Sequence, residues 1–443
     1  MKVLFLQPNL ADLRSGDAME PLVFAILKSL TPPGIEVVLR DDRVETIRED
    51  EPADLVAITM ETFTARRAYH LAAGFRRRGI PVVAGGHHPT LLPDEVLRHV
   101  DAVVIGDAEG VWPRLIADAR AGRLDRVYRS HEPAPQAGLR PDRSIFAGKA
   151  YLPIHLVQSG RGCRFACDFC SVHAFYGSVL NYRPIPEVVA EIADLPGRTV
   201  FFVDDNFFAD RDRTEALLRA LIPLKIHWAC QVSIDIAADE ALLDLMARSG
   251  CCCALVGFES LRRGNLERMN KTSNLGFSDY PAAVARFRQR GIMVYGTFVF
   301  GYDEDDPAAF AEATEFAIRG KLCLANFNPL TPTPGTELFR RLAAEGRLLH
   351  PRWWLDPDFR YGMATFRPHG MGADDLSEGC FRARTQFNTW ASIAGRALDF
   401  RANCRNLRNL GLFLSANLTS RREIFRKQGL PLGEAVELEP DYS

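Results

Sequence analysis

Short apolar runs alternate with amphipathic stretches along residues 1–125. The runs are VLFLQ (3–7), IEVVLRD (35–41), LVAIT (55–59), PVVAGG (81–86) and DAVVIGD (101–107). The stretches between them, such as TARRAYHLAAGFRRRG (64–79), carry apolar residues at helical spacing. Continuous apolar strands that alternate with helices are typical of a parallel sheet covered on both faces. We therefore predict a Rossmann-like parallel-sheet domain over residues 1–128.

Polar and glycine residues follow the predicted strands at their carboxyl ends. Thr59, Glu61, Gly85 and Gly86 are among them, and parallel α/β sheets bind their ligands at this edge. The next stretch, 129–150, is rich in proline, glycine and charge and has no hydrophobic period. We predict that it is a linker.

Strand and helix patterns alternate again over residues 151–345, now with polar residues at the strand ends. The strands are IHLVQS (154–159), TVFFVDDN (199–206), HWACQVSID (227–235), CCCALVGFES (251–260) and MVYGTFVFGYDED (293–305). Successive βα units with polar residues at one end predict a closed or partial barrel with its site on one face. The proline-rich stretch 326–338 predicts a rigid loop over the barrel mouth, and residues 346–443 predict a mainly helical cap domain.

Composition limits the class of protein. The 443 residues are 47% hydrophobic and 25% charged, enough for several globular domains, and the net charge of −2 argues against a protein that coats nucleic acid. No stretch reaches the roughly eighteen apolar residues of a membrane span, and the first apolar run is too short for a signal peptide. We expect a cytoplasmic, reduced protein whose ten cysteines are metal ligands, catalytic thiols or buried small residues.

Three cysteines lie in one glycine-flanked loop, SGRGCRFACDFCSV (159–172). Cys163, Cys167 and Cys170 have the spacing C-x3-C-x2-C and can face one inorganic centre. His173 could complete a zinc site. Alternatively, the three thiolates bind a 4Fe–4S cluster and leave one iron open. The loop follows an apolar strand at the predicted barrel mouth, and Phe169 supplies an apolar face beside it, which favours the cluster.

Three other cysteines, Cys251, Cys252 and Cys253, are consecutive. In a strand the middle side chain points away from the other two, so the three cannot readily bind one metal ion. We expect them to be small core residues, with an auxiliary cluster as the alternative.

The cysteine loop, with an aromatic residue just before its last cysteine, resembles the signature of radical S-adenosylmethionine (SAM) enzymes. The whole chain resembles the subfamily that has an N-terminal cobalamin-binding domain. The resemblance implies an α/β fold with a Rossmann-like domain, a radical SAM partial (β/α)6 barrel and a mainly helical carboxyl-terminal region. It also implies that the three cysteines bind a 4Fe–4S cluster, that SAM chelates the open iron, and that one electron cleaves SAM to methionine and a 5′-deoxyadenosyl radical.

The resemblance carries SAM-binding roles over to Phe169, Asp204, Asp205, Ser233, Asp235, Glu259 and Gly301. Phe169 and Gly301 are expected near the adenine, and Asp204 and Asp205 at the methionine ammonium group. Ser233 and Asp235 are expected at the ribose, and Glu259 at SAM or the substrate. Helix capping is the alternative for each polar strand-end residue, and no residue is assigned as catalytic.

Cobalamin domains of the methionine-synthase type carry D-x-H-x-x-G, S-x-L and G-G elements. Thr59 and Glu61 match the position of the second element, and Gly85 and Gly86 match the third. In ADLRSG (11–16), Arg14 stands where the cobalt-binding histidine would be, and a guanidinium cannot bind cobalt. We expect bound cobalamin without a histidine from this loop; a vestigial Rossmann unit is the alternative. His87 and His88 could contact the corrin, although histidines that cap the next helix are the commoner case.

The resemblance implies hydrogen abstraction from an unactivated carbon and, with cobalamin, C-methylation of a small-molecule or lipid-like substrate. The alternatives are a non-methylating radical reaction (cyclisation, oxidation or carbon–carbon coupling) and a non-catalytic cobalamin- or metal-binding protein. We expect an external one-electron donor of the flavodoxin or ferredoxin type and no nucleic acid. For the basic carboxyl-terminal helices we expect a solvated face, with peripheral membrane contact as the less favoured alternative.

Overall fold

The computed structural model describes residues 1–130, 136–277 and 279–433, so part of the predicted linker, 131–135, lies outside the described residues. The strands are β1 (Lys2–Gln7), β2 (Glu36–Asp41), β3 (Leu55–Thr59), β4 (Val82–Gly85), β5 (Ala102–Ile105), β6 (Val127–Arg129), β7 (His155–Val157), β8 (Gly160–Arg161), β9 (Asn181–Tyr182), β10 (Thr199–Phe202), β11 (His227–Val232), β12 (Cys251–Glu259), β13 (Met293–Phe300) and β14 (Leu324–Pro329).

The α-helices are α1 (Leu22–Leu30), α2 (Ala65–Arg77), α3 (His87–Leu91), α4 (Pro93–Val96), α5 (Trp112–Arg120), α6 (Ser171–Tyr176), α7 (Ile185–Ala193), α8 (Arg211–Leu221), α9 (Glu240–Arg248), α10 (Arg263–Arg268), α11 (Thr272–Leu275), α12 (Tyr280–Gln289), α13 (Ala308–Arg319), α14 (Glu337–Ala344), α15 (Ala373–Phe387), α16 (Trp390–Ala397) and α17 (Leu407–Lys427).

The first sheet has the strand order β2-β1-β3-β4-β5-β6 and is parallel throughout. Its apolar runs are continuous because helices cover both faces. Leu4 and Leu6 of β1 pack into the core on one face, whereas Val3 and Phe5 pack into the core on the other. The parallel α/β sheet predicted from the amino-terminal pattern is therefore confirmed.

The second sheet is also parallel and has the order β14-β13-β12-β11-β10-β7. Buried and half-buried residues alternate along β11, β13 and β14. The buried set faces the surrounding helices, and the other set faces the interior of the partial barrel. The expectation of a loop from residue 326 is wrong at its start, because residues 326–329 belong to the sixth strand. An edge strand can end in Pro329 because one side of its backbone needs no ladder partner.

Consecutive cysteines begin β12. Cys251 is buried in the barrel core, while Cys252 and Cys253 are half-buried. The pairing of β11 with β12 passes from Cys251 directly to Cys253, so an irregularity at Cys252 interrupts the simple alternation. The Cys253 sulfur lies 3.7 Å from the sulfur of Cys323.

The chain after residue 346 packs against both sheets. Trp353 and Trp354 join the core of the first sheet, and the Trp354 indole N–H donates to Glu95 Oε1 at 2.9 Å. Ile393 of α16 and Phe413 of α17 pack with Met293 at the start of β13. These two helices therefore lie at the amino ends of the barrel strands, opposite the end that carries the cysteine loop.

The last helix, α17, leaves Leu407, Leu414, Leu418 and Phe425 exposed. Within the described ranges, no helix combines the length and apolar character needed to cross a bilayer.

Candidate active site

The cysteine loop connects β8 to α6. Cys167 is buried, Cys163 and Cys170 are half-buried, and the thiols of Cys163 and Cys170 both act electrostatically on Cys167. Burial raises the pKa of Cys167 to about 12 and also raises that of Cys170. The fold thus places the three predicted ligands within electrostatic reach of one another, although no three His, Cys, Asp or Glu side chains of the described residues are arranged to hold a single metal ion.

Contacts from neighbouring strands fix the path of this loop. Gly162, with φ at +89°, has no room for a Cβ because it would clash with the Val179 carbonyl oxygen. The Gly162 N–H donates to Asp205 Oδ2 at 2.8 Å, and Asn206 Nδ2 lies 3.7 Å from Cys163 Sγ. The end of β10 therefore anchors the start of the loop.

A buried ion pair lies beside the cysteines. Lys271 Nζ donates to Glu259 Oε1 at 2.9 Å, and the two side chains are only 15% and 9% exposed. The Lys271 ammonium lies 6.0 Å from the centre of the Phe169 ring and lowers the pKa of Cys167 against the effect of burial. The sequence gives Glu259 a role but misses Lys271, whose position depends on a connection that the sequence pattern does not fix.

The two aspartates predicted at the methionine ammonium group differ in their contacts. Asp204 accepts from the Ser159 N–H at 2.7 Å and from the Ser159 hydroxyl at 2.6 Å, and burial raises its pKa to about 7. Asp205 binds the Gly162 N–H through Oδ2 and also lines the large cavity described below. Asp204 thus braces the strand before the cysteine loop, and Asp205 faces the open space.

The remaining predicted SAM contacts are spread around the barrel mouth. The Ser233 hydroxyl lies 3.4 Å from Asn206 Nδ2, close to the cysteines. Asp235 forms a partly exposed ion pair with Arg164 at 2.7 Å, on the rim. Gly301, at φ +101°, has a structural reason to be glycine, because a Cβ there would lie 2.7 Å from Leu376 Cδ2. The adenine role of Gly301 stays a prediction.

The interior of the barrel carries a few polar groups among apolar ones. Gln231 is exposed and donates to the Asp205 carbonyl oxygen at 3.1 Å. Asn326 donates to the Tyr295 hydroxyl at 2.7 Å. Tyr295 and Asn326 project from half-buried positions of β13 and β14, and Gln231 projects from an exposed position of β11. No motif in the sequence marks these side chains as functional.

A cavity of ≈ 400 Å³ lies between the carboxyl ends of the two sheets. The first sheet and its following segments contribute Thr59, Gly85, Gly86 and His87 together with apolar side chains of α1 and α5. Gln158 after β7, Arg161 of β8 and Asp205 after β10 line the other side. Glu61, the fourth predicted cobalamin contact, is exposed just before the short 3-10 helix Thr62–Thr64 and is not among the described lining residues.

Ionic contacts tie the two sheets together across this cavity. Arg161, at the start of the cysteine loop, pairs with Asp107 at 2.9 Å and with Glu109, both of which follow β5. The Tyr176 hydroxyl donates to Asp107 at 3.0 Å. Neighbouring carboxylates raise the pKa of Arg161 despite its burial. The sequence placed Asp107 at a strand end, but its partner was not predictable from that position.

Known proteins resemble the chain over both sheets. The family described as "Radical SAM superfamily" matches residues 157–317, and the "B12 binding domain" matches residues 14–116. Two proteins from Chlorobaculum tepidum are similar to this chain. Bacteriochlorophyllide d C-12(1)-methyltransferase is 29% identical to it over 86% of this chain and 85% of the relative's length. Bacteriochlorophyllide d C-8(2)-methyltransferase is 27% identical over 75% of this chain and 78% of the relative's length.

Among solved structures, the radical SAM methyltransferase TsrM from Kitasatospora setae, with cobalamin and a [4Fe-4S] cluster bound, has a similar fold. The TM-score is 0.64 at 17% identity, over 96% of this chain and 98% of TsrM. The similarity shows that the arrangement of both sheets and the carboxyl-terminal helices is shared.

The donor chemistry of the cysteine loop fits a 4Fe–4S cluster. Such clusters are bound by thiolates, and the three thiols here interact with one another beside the buried ammonium of Lys271. A positive charge in a buried site favours the deprotonated thiolates that iron requires.

The edge of the first sheet fits cobalamin. Gly86 has φ at +111°, and a Cβ there would lie 2.7 Å from the Met60 carbonyl oxygen. Gly85 and Gly86 thus present bare backbone to the cavity, while Leu22, Ile26 and Trp112 make its inner part apolar. One polar atom in this wall, His87 Nε2, is buried and finds no hydrogen-bond partner within the part of the chain that the structure describes.

Two independent domain matches, each placed on its own parallel sheet, therefore agree with the geometry of the cysteine loop and of the glycine edge. The chain therefore carries a radical SAM domain over residues 157–317 and, ahead of it, a B12-binding domain over residues 14–116.

Proposed function

We propose that this enzyme is a cobalamin-dependent radical SAM methyltransferase that methylates an unactivated carbon of a small-molecule or lipid-like substrate. One observation carries the proposal: a single cavity is lined by the glycine edge of the first sheet and by Asp205 and Arg161 beside the cysteine loop. Methyl transfer to a substrate radical requires both cofactors to face the same substrate, and a shared cavity permits this arrangement.

When bound, the cluster and SAM supply a radical that removes hydrogen from carbon, and cobalamin supplies the methyl group. The chain positions these groups. Cys163, Cys167 and Cys170 would bind the cluster, and Gly85, Gly86 and Thr59 would contact cobalamin.

Charged side chains then fix the distance between the two sites. Asp205 fixes Gly162 at the entry to the cysteine loop, and Arg161 links the same loop to the carboxylates that follow β5. Lys271 and Glu259 keep their charges paired in a place from which water is largely removed. Such fixed dipoles need no rearrangement when the reaction begins.

The barrel interior supports a mainly apolar substrate. Leu255 and Val299 occupy half-buried strand positions, and Gln231 and Asn326 add a few amide groups. Apolar side chains with a few amide groups favour an apolar molecule that is oriented by a small number of hydrogen bonds. The bacteriochlorophyllides named for the two relatives are suitable first candidates. We also propose a flavodoxin or ferredoxin as the electron donor.

The test is an anaerobic assay of the reconstituted protein with SAM that carries a deuterated methyl group. We expect 5′-deoxyadenosine and S-adenosylhomocysteine together, and a labelled methyl group in the product. A panel of substrates that begins with bacteriochlorophyllides supplies the acceptor, and reduced flavodoxin is compared with dithionite as donor.

Cys167→Ala should abolish formation of 5′-deoxyadenosine, whereas Cys404→Ala, a half-buried cysteine outside the loop, should not. If 5′-deoxyadenosine forms without S-adenosylhomocysteine, the enzyme catalyses a non-methylating radical reaction. If neither product forms with a fully loaded cluster, the proposal is wrong.

A further inference from the structure

We infer that His87 binds cobalt through Nε2 as an axial ligand, in place of the histidine that the β1–α1 loop does not provide. The inference rests on bound cobalamin but not on methyl transfer. The inference can therefore be wrong while the proposed function is right. The proposed function can equally be wrong while His87 still binds cobalt.

The loop after β1 offers no nitrogen donor to the cavity. Arg14, which occupies the position of the usual histidine, donates to the Asp42 carbonyl oxygen at 2.7 Å and to the Thr46 hydroxyl at 2.5 Å. A guanidinium remains protonated and has no lone pair for a metal. A cobalt ligand from the protein must therefore come from another part of the cavity wall.

Two adjacent histidines follow the glycine pair, and only one is available. His88 is 0% exposed, and its ring nitrogens lie 3.0 Å from the Tyr69 hydroxyl, 3.2 Å from Glu95 Oε1 and 3.3 Å from the Thr62 hydroxyl. His88 is thus fully used in a structural network.

His87 lies in the cavity wall, next to Gly86. Its Nε2 is buried and has no hydrogen-bond partner among the described residues. A buried nitrogen without a partner costs free energy unless a ligand uses it, and a neutral imidazole is a good donor to a transition metal.

The surroundings of His87 orient its ring. The Phe175 ring packs against the imidazole, with centroids 4.9 Å apart and planes tilted by 52°. The carboxylate of Asp205 interacts electrostatically with the same imidazole. An adjacent carboxylate is the usual partner of a metal-binding histidine, because it fixes the ring and increases the basicity of the ligating nitrogen.

The acidic and phenolic side chains beside Arg161 in the described lining are already engaged. Asp107 and Glu109 pair with Arg161, and the Tyr176 hydroxyl donates to Asp107. Among the described lining residues, His87 is the one histidine, and the lining includes no cysteine or methionine. The described lining therefore leaves one imidazole nitrogen as a donor for cobalt.

Electron paramagnetic resonance of the cob(II)alamin form tests this assignment without any turnover. An axial ¹⁴N ligand splits each cobalt line into a triplet, and an axial ¹⁵N ligand gives a doublet. The protein is produced in a histidine-requiring host with ¹⁵N-histidine and reconstituted with hydroxocobalamin of natural isotope content. We expect a triplet from unlabelled protein and a doublet from labelled protein.

His87→Ala and His87→Gln should both retain cobalamin, held by the remaining cavity wall, and should lose the nitrogen splitting. His70→Gln is the matched control, because His70 lies on α2 and pairs with Glu49; it should keep the splitting. A triplet that persists in ¹⁵N-labelled protein would show that the nucleotide base of cobalamin is the ligand, and would overturn the inference. Absence of nitrogen splitting in the unmodified protein, or a splitting that survives in His87→Gln, would also overturn it. If the alanine variant does not fold, the labelled unmodified protein and the glutamine variant decide the question.

Discussion

Replacing Lys271 by methionine removes one partner of the buried ion pair beside the cysteine loop. The two charged atoms are 2.9 Å apart, which corresponds to a gross attraction of about 6 kcal/mol at an effective dielectric constant of about 20. Part of that attraction offsets the desolvation of both groups. The net cost of Lys271→Met is set by the Glu259 carboxylate left unpaired, about 3–5 kcal/mol.

The assay is chemical denaturation of the metal-free protein, followed by fluorescence, for Lys271→Met, Glu259→Gln and the double variant. We expect each single change to lower the denaturation midpoint clearly. The double variant should lose less stability than the two single variants lose together, and the difference, the coupling energy of the pair, should be about 0.5–3 kcal/mol. Lys271→Arg keeps the positive charge but changes the shape of the side chain, so it separates the effect of losing the charge from the effect of altered packing. Iron and sulfide per chain after reconstitution give a second measurement, which should fall in Lys271→Met because the cysteines lose their neighbouring positive charge.

An unchanged midpoint in Lys271→Met would refute the reasoning, since it would mean that water reaches Glu259 easily. Strict additivity in the double variant would refute it equally, because the two side chains would then not interact.

Three further predictions follow from the site. Burial raises the pKa of Asp204 to about 7, so the folded state keeps a proton that the unfolded chain has lost, and stability should fall as the pH rises from about 4 to 7. Asparagine does not titrate, so Asp204→Asn should remove about 1.4 kcal/mol of this stability loss per pH unit. The measurement compares the denaturation midpoints of the variant and the unmodified protein across this pH range. Identical pH profiles of the two proteins would contradict the raised pKa of Asp204. Gly86→Ala should lower retained cobalamin at least tenfold, because its Cβ would meet the Met60 carbonyl oxygen at 2.7 Å. Gly79→Ala is the control, because Gly79 also has a positive φ, +75°, but has open space around it. Equal corrin absorbance in the two variants would argue against cobalamin binding at the glycine edge. Arg161→Met should remove the cation that pairs with Asp107 and Glu109 between the sheets and destabilise the protein by about 3–5 kcal/mol. Arg164→Met removes only a partly exposed pair and should cost less than about 1 kcal/mol. Similar melting temperatures of the two variants would disprove the interdomain role of Arg161.

The sequence alone determined the features that depend on neighbouring residues. Cys163, Cys167 and Cys170 lie within eight positions, so any path of the loop keeps them near one another. The run LVAIT coincides with β3 because a strand buried on both faces needs uninterrupted apolar residues. The glycine pair after β4 was likewise visible as a break in such a run.

The tertiary structure decided which of two adjacent side chains faces the site. Asp204 and Asp205 lie at the end of one strand, where successive side chains point to opposite sides, so one braces Ser159 and the other reaches the cavity. His87 and His88 begin a helix, where successive side chains differ by about 100°, so one enters the cavity and the other the Glu95 network. No local pattern distinguishes the members of either pair, because the distinction depends on where the second sheet packs.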